Sequence, residues 1–137
     1  MEETLVLIKP DGVKRQICGE ILTRYERKGL IIKAMKLLQT PKELAQEHYA
    51  EHKDKPFFGE LVDFITSGPV LAFVLAGKNA VTSVRTINGA TNPVDATPGS
   101  IRGDYALTMD SNVVHASDSV ESADVKFIYG SQNINNI

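Results

Sequence analysis

Three histidines occur in this chain of 137 residues, and one of them, His115, stands where chemistry is conceivable. It follows Asn112-Val113-Val114, in which two β-branched residues suit a short strand. It precedes Ala116-Ser117-Asp118-Ser119-Val120-Glu121-Ser122, a polar run suited to capping and opening a helix. An imidazole in that place is nucleophilic near neutral pH, and a helix N-terminus beside it attracts phosphate. Other polar residues fall at strand ends and in a long loop: Lys9, Tyr49, Arg85, Thr91, Arg102 and Asn112. Arginine forks grip two phosphate oxygens at once, and lysine supplies a point charge. Three cations and three neutral hydrogen-bonding groups around an imidazole describe a phosphoryl-transfer site, which must position a phosphate and neutralise charge as a bond breaks. No phosphate-binding glycine loop is involved. Gly77-Lys78 has Ala72 where a Walker motif needs glycine and Asn79 where it needs serine or threonine.

A competing pattern is His48-Tyr49-Ala50-Glu51-His52, which matches H-x-x-E-H. Two histidines four apart share a helix face. A zinc hydrolase would need a third ligand, and His115 is the only other histidine. The preferred reading of His48 and His52 is a helix surface around Tyr49.

These residues need a scaffold. Thr4–Ile8 is an almost unbroken apolar run, hence a buried strand, closed by Lys9-Pro10-Asp11-Gly12. Ile17–Lys28 predicts an amphipathic helix that stops at Gly29, and Leu30–Leu38 a second strand. A helix follows with Thr40 as cap and Pro41 at its first position. Phe57 and Phe58 start another amphipathic helix; neighbours diverge by about 100° on a helix, so the two cannot point the same way and one is available to a cleft. Val70–Leu75 predicts a third strand and Asn79–Ile87 a short helix. Residues 88–110 read as a long ordered loop, a length that in compact domains accompanies function. The order predicts an α/β (α+β) fold: a ferredoxin-like βαββαβ antiparallel sheet, helices on its faces, and a long loop before the last strand.

The bulk numbers agree. With 42% hydrophobic residues the chain is one globular domain, without repeats. A net charge of -2 is close to balanced, and neither sequence-specific nucleic acid nor membrane is expected as a partner. Cys18 is the single cysteine, so no internal disulfide can form; it reads as a small buried hydrophobe. Met1-Glu2-Glu3 lacks the start of a signal peptide, and a cytoplasmic location is expected.

The motifs also carry a resemblance. Thr4-Leu-Val-Leu-Ile-Lys-Pro-Asp-Gly-Val13, His48-Tyr-Ala-Glu-His52, Ile65-Thr-Ser-Gly-Pro-Val70, Gly89-Ala-Thr-Asn-Pro93, Pro98-Gly-Ser-Ile-Arg-Gly-Asp-Tyr105 and Asn112-Val-Val-His-Ala-Ser-Asp-Ser-Val-Glu-Ser-Ala123 follow one another as in the nucleoside diphosphate kinases. The sequence resembles that family over about its first nine-tenths, with a domain expected over 1–130 and a frayed tail over 131–137. The resemblance implies a ping-pong reaction in which ATP or another nucleoside triphosphate phosphorylates His115 and a nucleoside diphosphate collects the phosphate. It implies Lys9, Tyr49, Arg85, Thr91 and Arg102 as phosphate ligands, and Lys9 and Asn112 at the ribose. Phe57 would stack on the base, with Leu61 and Met109 beside it. It further implies Mg2+ held mainly by nucleotide phosphates, with no protein metal-ligand cluster, and a homo-oligomer. Two positions depart from the family. Ala116 replaces a common glycine. Lys126 stands where a glutamate usually orients the histidine, which raises the alternative of a catalytically weakened nucleotide-binding or assembly protein.

Overall fold

The computed structural model describes residues 1–117 and 126–129. Its centre is β1 (Glu2–Ile8), whose Leu5, Val6, Leu7 and Ile8 are fully buried. Val6 and Ile8 join a cluster with Ile21, Tyr25 and Phe73 on one face of the sheet. Leu5 and Leu7 join Ala45, Val62, Ile65 and Phe127 on the other. Side chains alternate between faces as in any strand, but both faces are covered, so the sequence shows an unbroken apolar run.

After β1 come α1 (Pro10–Lys14), α2 (Cys18–Lys28), β2 (Ile31–Gln39), α3 (Lys42–His48), α4 (Phe58–Ile65), β3 (Pro69–Gly77) and α5 (Ala80–Asn88). The chain continues through α6 (Ile101–Tyr105) to β4 (Val114–Ala116), and α7 spans Lys126–Tyr129. Among the described residues the strands form one antiparallel sheet in the order β2-β3-β1-β4, the ferredoxin-like arrangement expected. Gly29 closes α2 at φ 106, a left-handed value that glycine adopts without steric cost.

Several local expectations need correction. Pro10 opens a short helix rather than merely closing β1, because its missing N–H falls where a helix leaves donors unused anyway. Thr40 does not cap α3: Pro41, with ψ 146, is the capping position and the helix begins one residue later. The histidines of H-x-x-E-H do not share a helix, since α3 ends at His48 and a separate 3-10 turn spans Ala50–His52. Cys18 is half-buried at the start of α2 rather than enclosed. The loop over 88–110 contains structure of its own. Ser100 caps α6 by accepting from Gly103 N–H (3.0 Å), and Pro93–Asp95 and Met109–Ser111 are 3-10 turns. Arg24 pins this loop to α2, reaching Asp104 at 2.7 Å and the Gly99 carbonyl at 3.1 Å. Finally, Val113 is not in the strand. The helix expected from Ser119 and the tail over 131–137 lie outside the described residues.

Candidate active site

Val113 has φ 73, a left-handed value that a β-branched residue rarely adopts. The Val114 N–H donates to the Asn112 carbonyl at 2.8 Å, closing a γ-turn of the strained hand around Val113. Strain of this kind costs about 1–3 kcal/mol and persists only where its surroundings over-determine it. Here they do. Lys9 N–H donates to the Val113 carbonyl (2.8 Å), and Asp11 Oδ2 accepts from Val113 N–H (3.1 Å). The Arg102 guanidinium donates to the carbonyls of Asn112 (3.2 Å), Val114 (2.6 Å) and Gly89 (2.8 Å). The turn leads directly into β4, where His115 lies opposite Leu7 of β1. Beyond it, Ser117 ties the strand end to β1 through Thr4 and Leu5.

His115 lines a cavity of about 400 Å³ together with Lys9, Arg85, Thr91, Arg102 and Asn112. Lys9 leaves the end of β1, Arg85 stands on α5, and Arg102 on α6. The sheet and the folded loop thus bring together six of the ten residues expected from sequence. Lys9 Nζ donates to Asn112 Oδ1 (2.8 Å), and Asn112 Nδ2 donates to the Thr91 carbonyl (3.1 Å). Burial, helped by nearby Arg102, pushes the Lys9 ammonium down from 10.5 to about 8, against the pull of Asp11. Burial likewise lowers Arg102 and raises the Asp11 carboxyl. A cavity lined by three cations, of which Arg102 is buried and Arg85 exposed, with no carboxylate among its described lining residues, is suited to an anion.

Tyr49, Phe57, Leu61 and Met109 are outside that lining. Tyr49 caps the C-terminus of α3, and its ring meets His48 edge-on, with centroids 4.5 Å apart. His48 in turn meets His115 edge-on at 4.7 Å and Phe127 at 5.3 Å. Phe57, at the head of α4, is 42% exposed, while Phe58 packs into the core. Leu61 N–H bonds to the Phe57 carbonyl at 3.1 Å, one turn along, so the two side chains share an open face.

Three residues make contacts around this region that sequence reading does not anticipate. Asp11 was read as part of a turn, although its place two residues after Lys9 put it within reach of the site. His48 was assigned to a helix surface, although its ring packs against His115. Glu47 gave no signal at all: it receives the Lys126 ammonium at 2.9 and 3.1 Å on its two carboxylate oxygens. Lys126 therefore ties α7 to α3 through an ion pair.

A ferredoxin-like sheet that presents a histidine to a cationic cavity, without a glycine-rich phosphate loop, defines a class of phosphate-handling proteins. A family model described as nucleoside diphosphate kinase matches residues 2–134, and the chain belongs to that family. It is 60% identical to the nucleoside diphosphate kinase of Archaeoglobus fulgidus over 124 residues, 90% of this chain and 82% of that protein. It is 53% identical to that of Halalkalibacterium halodurans, over 98% of this chain and 93% of the relative. Among solved structures, the Halobacterium salinarum nucleoside diphosphate kinase in complex with CDP superposes with a TM-score of 0.88 at 49% identity, covering 98% of this chain and 89% of that one. The alternative of a weakened family member is not favoured by these matches. No helix among the described residues is long and apolar enough to cross a membrane.

Proposed function

We propose that this chain transfers the γ-phosphate of a nucleoside triphosphate, typically ATP, to a nucleoside diphosphate, with His115 carrying the phosphate between them. The observation that carries the reading is the placement of the His115 imidazole on a cavity lined by Lys9, Arg85 and Arg102. A neutral imidazole has one nitrogen with a free lone pair. In the first half-reaction that nitrogen attacks the γ-phosphorus. An N–P bond forms, the bond to the bridging oxygen breaks, and the diphosphate leaves with the electron pair. A second diphosphate then attacks the phosphohistidine through its terminal oxygen, restoring the imidazole.

Charge on the equatorial and leaving oxygens is met by Lys9, Arg85 and Arg102, with Thr91 and Tyr49 adding hydrogen bonds. Arg102 has five donors and commits three bonds to backbone carbonyls, so it both builds the cavity and can face the phosphate. Asn112 and Lys9 are assigned to the ribose hydroxyl. Phe57, with Leu61 and Met109 beside it, is assigned to the base. Stacking reads no base edge, so broad base tolerance follows.

The donor set suits Mg2+ carried by the nucleotide. The described lining offers cations and no carboxylate, and Asn112 Oδ1 is taken by Lys9. When bound, the metal would neutralise phosphate charge while keeping much of its water. A homo-oligomer is supported by Ile31, Met35 and Leu37, which are exposed on edge strand β2. A cytoplasmic setting suits the single free cysteine.

Incubation with γ-labelled ATP tests the reading. The protein is expected to take up label that is acid-labile and base-stable, as in phosphohistidine, and to release it on addition of a diphosphate. His115→Gln should take up none. An unlabelled wild-type protein of confirmed fold would overturn the assignment.

A further inference from the structure

We propose that Asp11 is a positioning residue for His115, acting by holding Val113 in its left-handed γ-turn. The inference rests on the reading of His115 as the phosphate carrier. The turn at Val113 is the last backbone feature before the strand that presents the imidazole. Its conformation is one a valine does not choose, so something must hold each of its polar groups. The carbonyl side is held by Lys9 N–H at 2.8 Å. The N–H side is held by the Asp11 carboxylate at 3.1 Å. Val113 is fully buried, so its N–H depends on an acceptor that the protein supplies.

The neighbour of Asp11 shows that this contact is built into the fold. A Cβ on Gly12 would lie 2.7 Å from Ile8 Cγ2 and 3.1 Å from Val113 Cγ1, so α1 can approach the turn closely only with glycine there. Asp11 sits in the first turn of α1 with Pro10 ahead of it, which limits how far its backbone can shift. The carboxylate is thus a fixed acceptor that the backbone N–H groups of Asp11 and Gly12 help to hold in place and that reaches across to Val113 N–H. Without it, Val113 would relax toward an ordinary β conformation. That motion would displace His115 on the far side of the turn, while the Asn112 side chain stays tied to Lys9 and to the Thr91 carbonyl. Arg85 and Thr91 stand on other segments and would still receive phosphate. Removing Asp11 should therefore affect the reaction more than nucleotide binding.

A double-mutant cycle between Asp11→Ala and Val113→Gly tests this. Glycine holds a left-handed turn at no steric cost, so it should remove the need for the clamp. The readouts are the single-turnover rate of His115 phosphorylation by ATP and the dissociation constant for ADP. Asp11→Ala is expected to slow phosphorylation by at least tenfold while ADP affinity stays within threefold. In the Val113→Gly background the same change should slow it less than threefold. Asp11→Asn, which keeps an acceptor, should stay within threefold of wild type. If Asp11→Ala does not fold, Asp11→Glu, one methylene too long for the same bond, takes its place with the same expectation. Equal slowing in both backgrounds, or wild-type rates in the Asp11 variant, would overturn the inference. A wild-type protein that takes no label would instead overturn the reading of His115 itself.

Discussion

Lys9 gives the sharpest quantitative test of the cavity. Its ammonium is pushed down to about 8 from an ordinary 10.5, first by burial and then by Arg102. That gap corresponds to about 3 kcal/mol held against the charged form in the empty protein. The sign follows from linkage. Below pH 8 the folded and unfolded chains both hold the proton, and the whole penalty is present. As pH rises from about 8 to 10.5 only the unfolded chain keeps it, so the contribution of Lys9 to stability improves through that window. Phosphate in the cavity reverses the effect, because an anion favours the ammonium. Binding of ADP should then draw about half a proton onto Lys9 at pH 8, close to one at pH 9, and almost none at pH 6.5. Affinity should fall by up to about tenfold per pH unit above 8. Calorimetric titration with ADP, at fixed pH in buffers of different ionisation heat, reads the proton count directly. Lys9→Arg is the control, since arginine does not deprotonate in this range. Absence of uptake at pH 8–9, or equal uptake in Lys9→Arg, would show that Lys9 is not the group facing the phosphate.

Three further outcomes are expected. Lys126→Glu sets a carboxylate against Glu47 where the present pair is 40% and 41% exposed; it should cost about 1 kcal/mol or less in urea denaturation and bring no gain in turnover. A gain would mean that position 126 acts on His115 after all. Phe127→Ala removes a fully buried ring that packs on His48, and a loss of about 3–5 kcal/mol is expected by chemical denaturation, with a small loss indicating that α7 is not part of the core. Gly103→Ala would place Cβ 2.1 Å from the Thr97 carbonyl oxygen and 2.8 Å from the Ser100 cap, so α6 must shift. That should destabilise the fold by about 1–3 kcal/mol and weaken nucleotide binding through Arg102, both measurable by thermal shift with and without ADP; an unchanged variant would show that this loop adapts freely.

The sequence by itself determined the scaffold. Strand β1 was legible because burial on both faces leaves an unbroken apolar run, and α2 because one face only is buried and glycine ends it. The candidate site was legible as a set of residue types, a histidine with three cations and several hydroxyl or amide groups, and six of these residues line one cavity. Their expected partners were less so. Lys126 looked like a misplaced charge beside His115, yet its ammonium goes to Glu47, 79 positions away in the chain. His48 looked like a surface residue, yet its ring stands against His115.

What only the tertiary structure decided was the backbone that aims His115. Two valines in succession carry the local preference of a strand, and the first of them is instead turned left-handed. No local signal could announce that, because the energy that holds it comes from other elements: Lys9 just past β1, Asp11 in α1, and Arg102 on α6. Propensity is set by neighbours along the chain. A strained turn is set by whatever the fold packs around it, and here the fold packs Lys9, Asp11 and Arg102 around Val113.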